Sequence, residues 1–132
     1  NKMLFIQLPS GRLLSYASPW LEEGQYGDIV CYMGIDQFSK KWSKQTTYGG
    51  KLLENIVQGT ARDILADIMV RLDKAGFPLI MHVHDEVIAE ILLGKSEYWI
   101  SLADEIMSTE IPWCKGLPLA SKTFVTPFYL KD

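Results

Sequence analysis

Apolar residues in this chain recur first every second position, then at a period near 3.6, then every second position again. Those switches predict its elements. Residues 3–8 and 12–16 read as strands on either side of Pro9-Ser10-Gly11, a turn composition. Residues 28–35 and 41–47 form a second pair joined around Asp36-Gln37-Phe38-Ser39, and Gly49-Gly50 punctuates the chain after them. From Lys51 to about Ala75, Leu52/Leu53, Ile56/Val57, Ala61, Ile64/Leu65, Ile68/Met69 and Leu72 recur at helical spacing and predict one wide apolar face. At 1.5 Å per residue such a helix is roughly 37 Å long. Gly76 followed by Pro78 is its stop signal.

Residues 79–83 and 87–92 are two short β-rich runs with His84-Asp85-Glu86 between them. Residues 95–109 predict a second, amphipathic helix with Trp99, Leu102, Ala103, Ile106 and Met107 turned inward. Pro112 and Gly116-Leu117-Pro118 make a turn-rich connection, and residues 119–130 read as extended, interrupted by Pro127. There is no internal repeat, low-complexity tract or linker. The predicted fold class is α+β: antiparallel β-hairpins packed with a long helix and a second, shorter one, in a single domain or a large piece of one.

Composition changes this picture little. At 132 residues the chain is long enough to bury a real core. Its 48% hydrophobic and 22% charged residues are those of an ordinary globular protein. No apolar run approaches the length of a bilayer span, and the N-terminus lacks a basic-then-apolar-then-small pattern. The chain therefore reads as cytoplasmic, with no membrane partner. Cys31 and Cys114 lie far apart with no C-x-x-C, which points to small buried hydrophobes rather than a disulfide framework or zinc ribbon. A net charge of −3 argues against nucleic acid when taken alone. However, Lys40, Lys41, Lys44 and Lys51 cluster with Trp42 and Tyr48. That cluster reads equally as a solvated hairpin flank or as a phosphate-facing surface.

The candidate chemistry lies in Met81-His82-Val83-His84-Asp85-Glu86-Val87-Ile88, where ionisable residues interrupt an apolar hairpin. Two adjacent acids at a tight turn repel each other, and a hard divalent cation relieves that repulsion. One reading is a polar turn whose acids face water. Another is a transition-metal site on His82 and His84, which lacks a third nitrogen or sulfur ligand. A third makes His84 a general base oriented by Asp85, but adjacent strand residues point to opposite faces and no serine or cysteine nucleophile stands out. Of the functional readings, a carboxylate–Mg²⁺ corner of the kind used in two-metal phosphoryl transfer fits best.

These residues also carry a resemblance. Val83-His84-Asp85-Glu86-Val87 looks like motif C of the family A DNA polymerases, the bacterial DNA polymerase I type. Gln58-Gly59-Thr60-Ala61-Arg62-Asp63-Ile64 is similar to the Q-G-T-A-x-D-I stretch that precedes motif C in that family. Tyr48-Gly49-Gly50-Lys51-Leu52, Glu54-Asn55-Ile56-Val57-Gln58 and Gly116-Leu117-Pro118-Leu119 resemble its phage and prophage branch. The order and spacing match from about Leu8 to near the C-terminus.

The resemblance implies that residues 1–132 are the C-terminal part of a polymerase palm, acting on primer-template DNA and a deoxynucleoside triphosphate with Mg²⁺. Asp85 matches the metal-holding aspartate, Glu86 its accessory carboxylate, and His84 a histidine beside the primer terminus. Gln58 matches a glutamine at the minor groove, where purine N3 and pyrimidine O2 accept hydrogen bonds in every correct pair. Asn55 and Arg62 are expected to share its helix stripe, and Lys51 to add a basic contact. His82 has no role in the family pattern and reads as structural.

Two parts of that pattern have no match here. One is the D-x-S-x-I-E-x-R motif A, whose aspartate completes the metal pair; Asp28, Asp36, Asp63 and Asp67 lack its context. The other is the fingers helix that clamps the triphosphate. The expectation is therefore a fragment or truncated product that needs the remainder of the polymerase chain and is inactive alone. The alternatives are a catalytically silent prophage remnant that binds DNA or protein, and one half of a split enzyme.

Overall fold

The computed structural model describes residues 2–130; residues 1, 131 and 132, which the expected span of 1–132 includes, lie outside the described residues. The fold is α+β, as the pattern predicts. Among the described residues there is a four-stranded antiparallel sheet in the order β1 (Met3–Gln7), β2 (Leu13–Gly24), β3 (Gly27–Ile35), β4 (Trp42–Thr47). The helix α1 (Gly49–Lys74) follows, then a two-stranded hairpin of β5 (Leu79–Val83) and β6 (Glu86–Ala89), helix α2 (Ser96–Ser108) and a 3-10 turn at Pro112–Cys114. No helix among the described residues is long and apolar enough to cross a membrane. The chain groups into two compact units that divide at Thr60 and Ala61, so α1 contributes its first half to one and its second half to the other.

In the first unit, alternation sends Leu4, Ile6 and Leu8 to one face and Met3 and Phe5 to the other. The second strand runs further than its sequence suggests. The expected strand covers residues 12–16, yet Ala17 pairs with Met33 and Trp20 with Cys31, leaving one extra residue as a β-bulge. The bulge accommodates both Ser18 at φ 48° and the imino nitrogen of Pro19. Leu8, Tyr16, Cys31 and Thr47 are buried, and Tyr16 meets Tyr32 edge-on at 5.0 Å. Of the wide apolar face expected on α1, Leu53 and Val57 are 61% and 56% exposed, so the N-terminal half of the helix buries a narrower stripe than the spacing predicts.

The second unit is built on Ile68, Leu72, Ala103 and Ile111, with Ile64, Phe77, Val87, Ile106 and Met107 packed against them. The helix stop falls where Gly76-x-Pro78 predicts it. Gly76 lies at φ 77°, its N–H donates to the Asp73 carbonyl, and the Phe77 N–H donates back to Leu72. That is a Schellman closure, which satisfies carbonyls the helix leaves unpaired. Residues 119–130 were expected to be extended, but they form no strand. They are tied down by hydroxyls instead: Ser121 Oγ, at 3.0 Å, and Thr123 Oγ1 both donate to Asp104 Oδ1 on α2.

Candidate functional site

The β5–β6 hairpin is tighter than the run of three polar residues suggests. Val83 pairs with Glu86, so the loop is only His84-Asp85 and Glu86 is the first residue of β6. Strand β6 also ends at Ala89, three residues short of the expected run to 92. His84 takes φ 51°, the left-handed region that two-residue hairpin loops demand at their first position and that glycine or asparagine usually fills. A histidine there carries backbone strain, and strain of this kind concentrates at functional sites. Upstream, Leu79 pairs with Ala89 and Met81 with Ile88, so Ile80 is bulged out of the ladder; bulges re-aim neighbouring side chains.

The tip is solvent-facing. His82, His84 and Asp85 are exposed and Glu86 is half-buried. Glu86 accepts a hydrogen bond at Oε2 from the Tyr129 hydroxyl, 3.2 Å away. Burial pushes the Tyr129 phenol above its ordinary range, and the adjacent Glu86 carboxylate adds to the shift. Sequence reasoning missed Tyr129. The available signal was a tyrosine in a Pro-interrupted tail, whose hydroxyl, once near other groups, needs a partner. Among the described residues, no three or more His, Cys, Asp and Glu side chains come together as a metal-ion cage. Asp85 and Glu86 are thus a pair of carboxylates rather than a closed site.

The other predicted residues lie on α1. Lys51 and Gln58 are exposed, and so is Arg62, which falls in the second unit. Asn55 is not free on a shared stripe with them: it is half-buried, and its Nδ2 donates to the Tyr16 hydroxyl at 3.1 Å. The glycine after Gln58 has a packing cause. A Cβ at Gly59 would lie 2.9 Å from Leu8 Cδ1 and 3.3 Å from Arg12 Nη2. The same Arg12 nitrogen donates to the Gly59 carbonyl at 2.9 Å. Gly59 thus lets α1 settle on the β1–β2 turn, with Gln58 beside it facing solvent.

The basic cluster divides likewise. Lys44 forms an ion pair with Glu22 and sits 6.0 Å from the Trp20 ring centroid, while the Trp20 indole N–H donates to the same carboxylate at 2.7 Å. These contacts, Lys44 first, hold the Glu22 carboxyl below its ordinary range. Lys40, Lys41 and Lys51 remain exposed.

Comparison with known proteins adds one relationship of length. No family model matches the chain, and no solved structure matches it. The chain is, however, similar along nearly all of its length to part of a phage DNA polymerase. That relative is the DNA polymerase of Bacillus phage SP02, 50% identical over 132 residues, which cover 98% of this chain and 20% of that protein. The chain therefore spans about a fifth of the length of the curated relative it matches.

Proposed function

We propose that this chain is the C-terminal part of the palm of a family A DNA-directed DNA polymerase of the phage and prophage branch. In it, Asp85 and Glu86 supply the motif C carboxylates for nucleotidyl transfer on primer-template DNA. The observation that carries the reading is the 50% identity to a stretch of a phage DNA polymerase. An aspartate held at the exposed tip of a two-residue hairpin supports it.

The donor set fits Mg²⁺ in chemistry. Carboxylate oxygens are hard donors, and Mg²⁺ takes one or two protein carboxylates beside phosphate and water oxygens. Asp85 and Glu86 would hold the ion, with other ligands coming from the rest of the polymerase and the deoxynucleoside triphosphate. When bound, the ion supplies Lewis-acid activation and neutralises charge on the transferring phosphate. The chain's own residues orient the DNA. His84 directs a ring N–H at the primer terminus, Gln58 donates to minor-groove acceptors, and Arg62 and Lys51 face backbone phosphates. Asn55, engaged by Tyr16, positions Gln58 by fixing α1 one turn earlier. With one carboxylate pair, the chain alone does not polymerise; primer extension by the purified 132-residue chain would contradict this.

The decisive variant is Asp85→Ala in a polymerase carrying this segment. It is expected to lower primer extension by about a thousandfold or more while DNA binding largely survives. Extension near the parental rate would overturn the metal assignment.

A further inference from the structure

The tail is part of the candidate site, and its anchoring explains how. After α2, the chain is pinned back on that helix by Ser121 and Thr123, both donating to Asp104 Oδ1. It then turns at Thr126-Pro127-Phe128, where Thr126 Oγ1 donates to the Phe128 carbonyl at 2.7 Å. The next residue, Tyr129, delivers its hydroxyl to Glu86 Oε2 at 3.2 Å. Forty-three positions separate donor and acceptor, so the contact depends on the path the tail takes from its anchor on Asp104. Glu86 sits directly after Asp85, at the base of a loop whose backbone is strained at His84.

We infer that Tyr129 is a positioning residue for nucleotidyl transfer: its hydroxyl holds one oxygen of Glu86 and so fixes the direction in which the other faces the Asp85 corner. This rests on the polymerase reading above. A carboxylate at the start of a short strand is otherwise free to rotate about its side-chain torsions, and a donor on one oxygen removes that freedom. The bond is longer than the usual O–H···O range, which sets a modest scale for its effect.

The test uses an intact polymerase carrying this segment, with variants Tyr129→Phe, Glu86→Gln and the double change, beside Asp85→Ala. Tyr129→Phe removes only the hydroxyl and keeps the ring. It is expected to lower kcat about three- to tenfold, with KM for the nucleotide and the melting temperature nearly unchanged. The double variant is expected to be no slower than Glu86→Gln alone, because the hydroxyl acts through that carboxylate. In the metal-free protein labelled with ¹³C at glutamate carboxyls, Tyr129→Phe is expected to move the Glu86 resonance.

Three results overturn the inference: an unchanged kcat, additive losses in the double variant, or an unmoved Glu86 resonance. If Asp85→Ala also leaves extension intact, the polymerase reading itself has failed. If Asp85→Ala abolishes extension and Tyr129→Phe changes nothing, only the positioning role has.

Discussion

Asn55 Nδ2 donates to the Tyr16 hydroxyl at 3.1 Å, joining α1 to β2 through two side chains that sequence spacing alone does not connect. Tyr16 is 5% exposed, so removing the amide leaves its oxygen with one partner fewer away from water. Asn55→Ala is expected to cost about 1–2 kcal/mol, read as a melting temperature lower by several degrees. Gln58, exposed three residues on, is expected to change stability by less than about 0.5 kcal/mol when replaced by alanine. In a polymerase carrying this segment, Gln58→Ala is expected instead to slow extension of correctly paired primer ends. Parallel thermal melts and single-turnover extension separate the two residues; equal stability losses would place Gln58 in the structural class with Asn55.

The glycine at 59 gives a second contrast within the same helix. Alanine normally stabilises a helix interior over glycine by about 1 kcal/mol. At Gly59 its methyl meets Leu8, which is 2% exposed and has little room to move. Overpacking of that kind costs about 1–3 kcal/mol, so Gly59→Ala is expected to be net destabilising by roughly 1 kcal/mol. Gly49 has nothing near its would-be Cβ, and Gly49→Ala is expected to be neutral or slightly stabilising. Denaturant midpoints of the two variants test this, and a stabilising Gly59→Ala would mean that the helix does not seat on the β1–β2 turn.

Much of this architecture is legible in the residues because it is local. The Gly76-x-Pro78 stop becomes a Schellman closure, and the 3.6-residue period marks Leu65, Ile68 and Leu72 as buried. What escapes the sequence is set by distant partners. The strand expected over residues 12–16 runs on to Gly24, with Pro19 absorbed in a bulge against β3. Asn55 shares helical spacing with Gln58, yet the tyrosine opposite decides its role. The polar run His84-Asp85-Glu86 stands out in the sequence, but only the Val83–Glu86 pairing assigns Glu86 to a strand and reduces the loop to two residues. Tyr129 had no period or motif to announce it, since its contact depends on a tail tied to Asp104.

The β3–β4 turn carries a pH dependence. Asp36 Oδ1 accepts the Ser39 N–H at 2.7 Å and the Phe38 N–H at 3.2 Å, and the Ser39 bond is the larger cause holding this carboxyl below its ordinary range. A folded-state pKa below the unfolded one means the contribution is fully present above the unfolded value and is lost as pH falls through the folded one. Melting temperature is therefore expected to decline as the solution is acidified through and below the ordinary aspartate range, and less steeply in Asp36→Asn. Parallel acid limbs for the two proteins would show that this turn makes no pH-linked contribution.

The strain at His84 predicts a trade between stability and activity. A left-handed conformation costs a residue with a Cβ about 1–2 kcal/mol, whereas glycine adopts it freely but loses about 0.5–1 kcal/mol more backbone entropy on folding. His84 stands at φ 51° and its side chain is exposed, so little packing is lost when it is replaced. His84→Gly is therefore expected to be at least as stable as the parent, and about 1 kcal/mol more stable than His84→Ala, which keeps the strain and loses the ring. In a polymerase carrying this segment, both variants are expected to extend primers more slowly, because neither offers a ring N–H at the primer terminus. A His84→Gly protein that melts higher and extends poorly marks the histidine as held there for chemistry. One that melts higher and extends at the parental rate removes His84 from the site, and leaves the hairpin's contribution to Asp85 and Glu86.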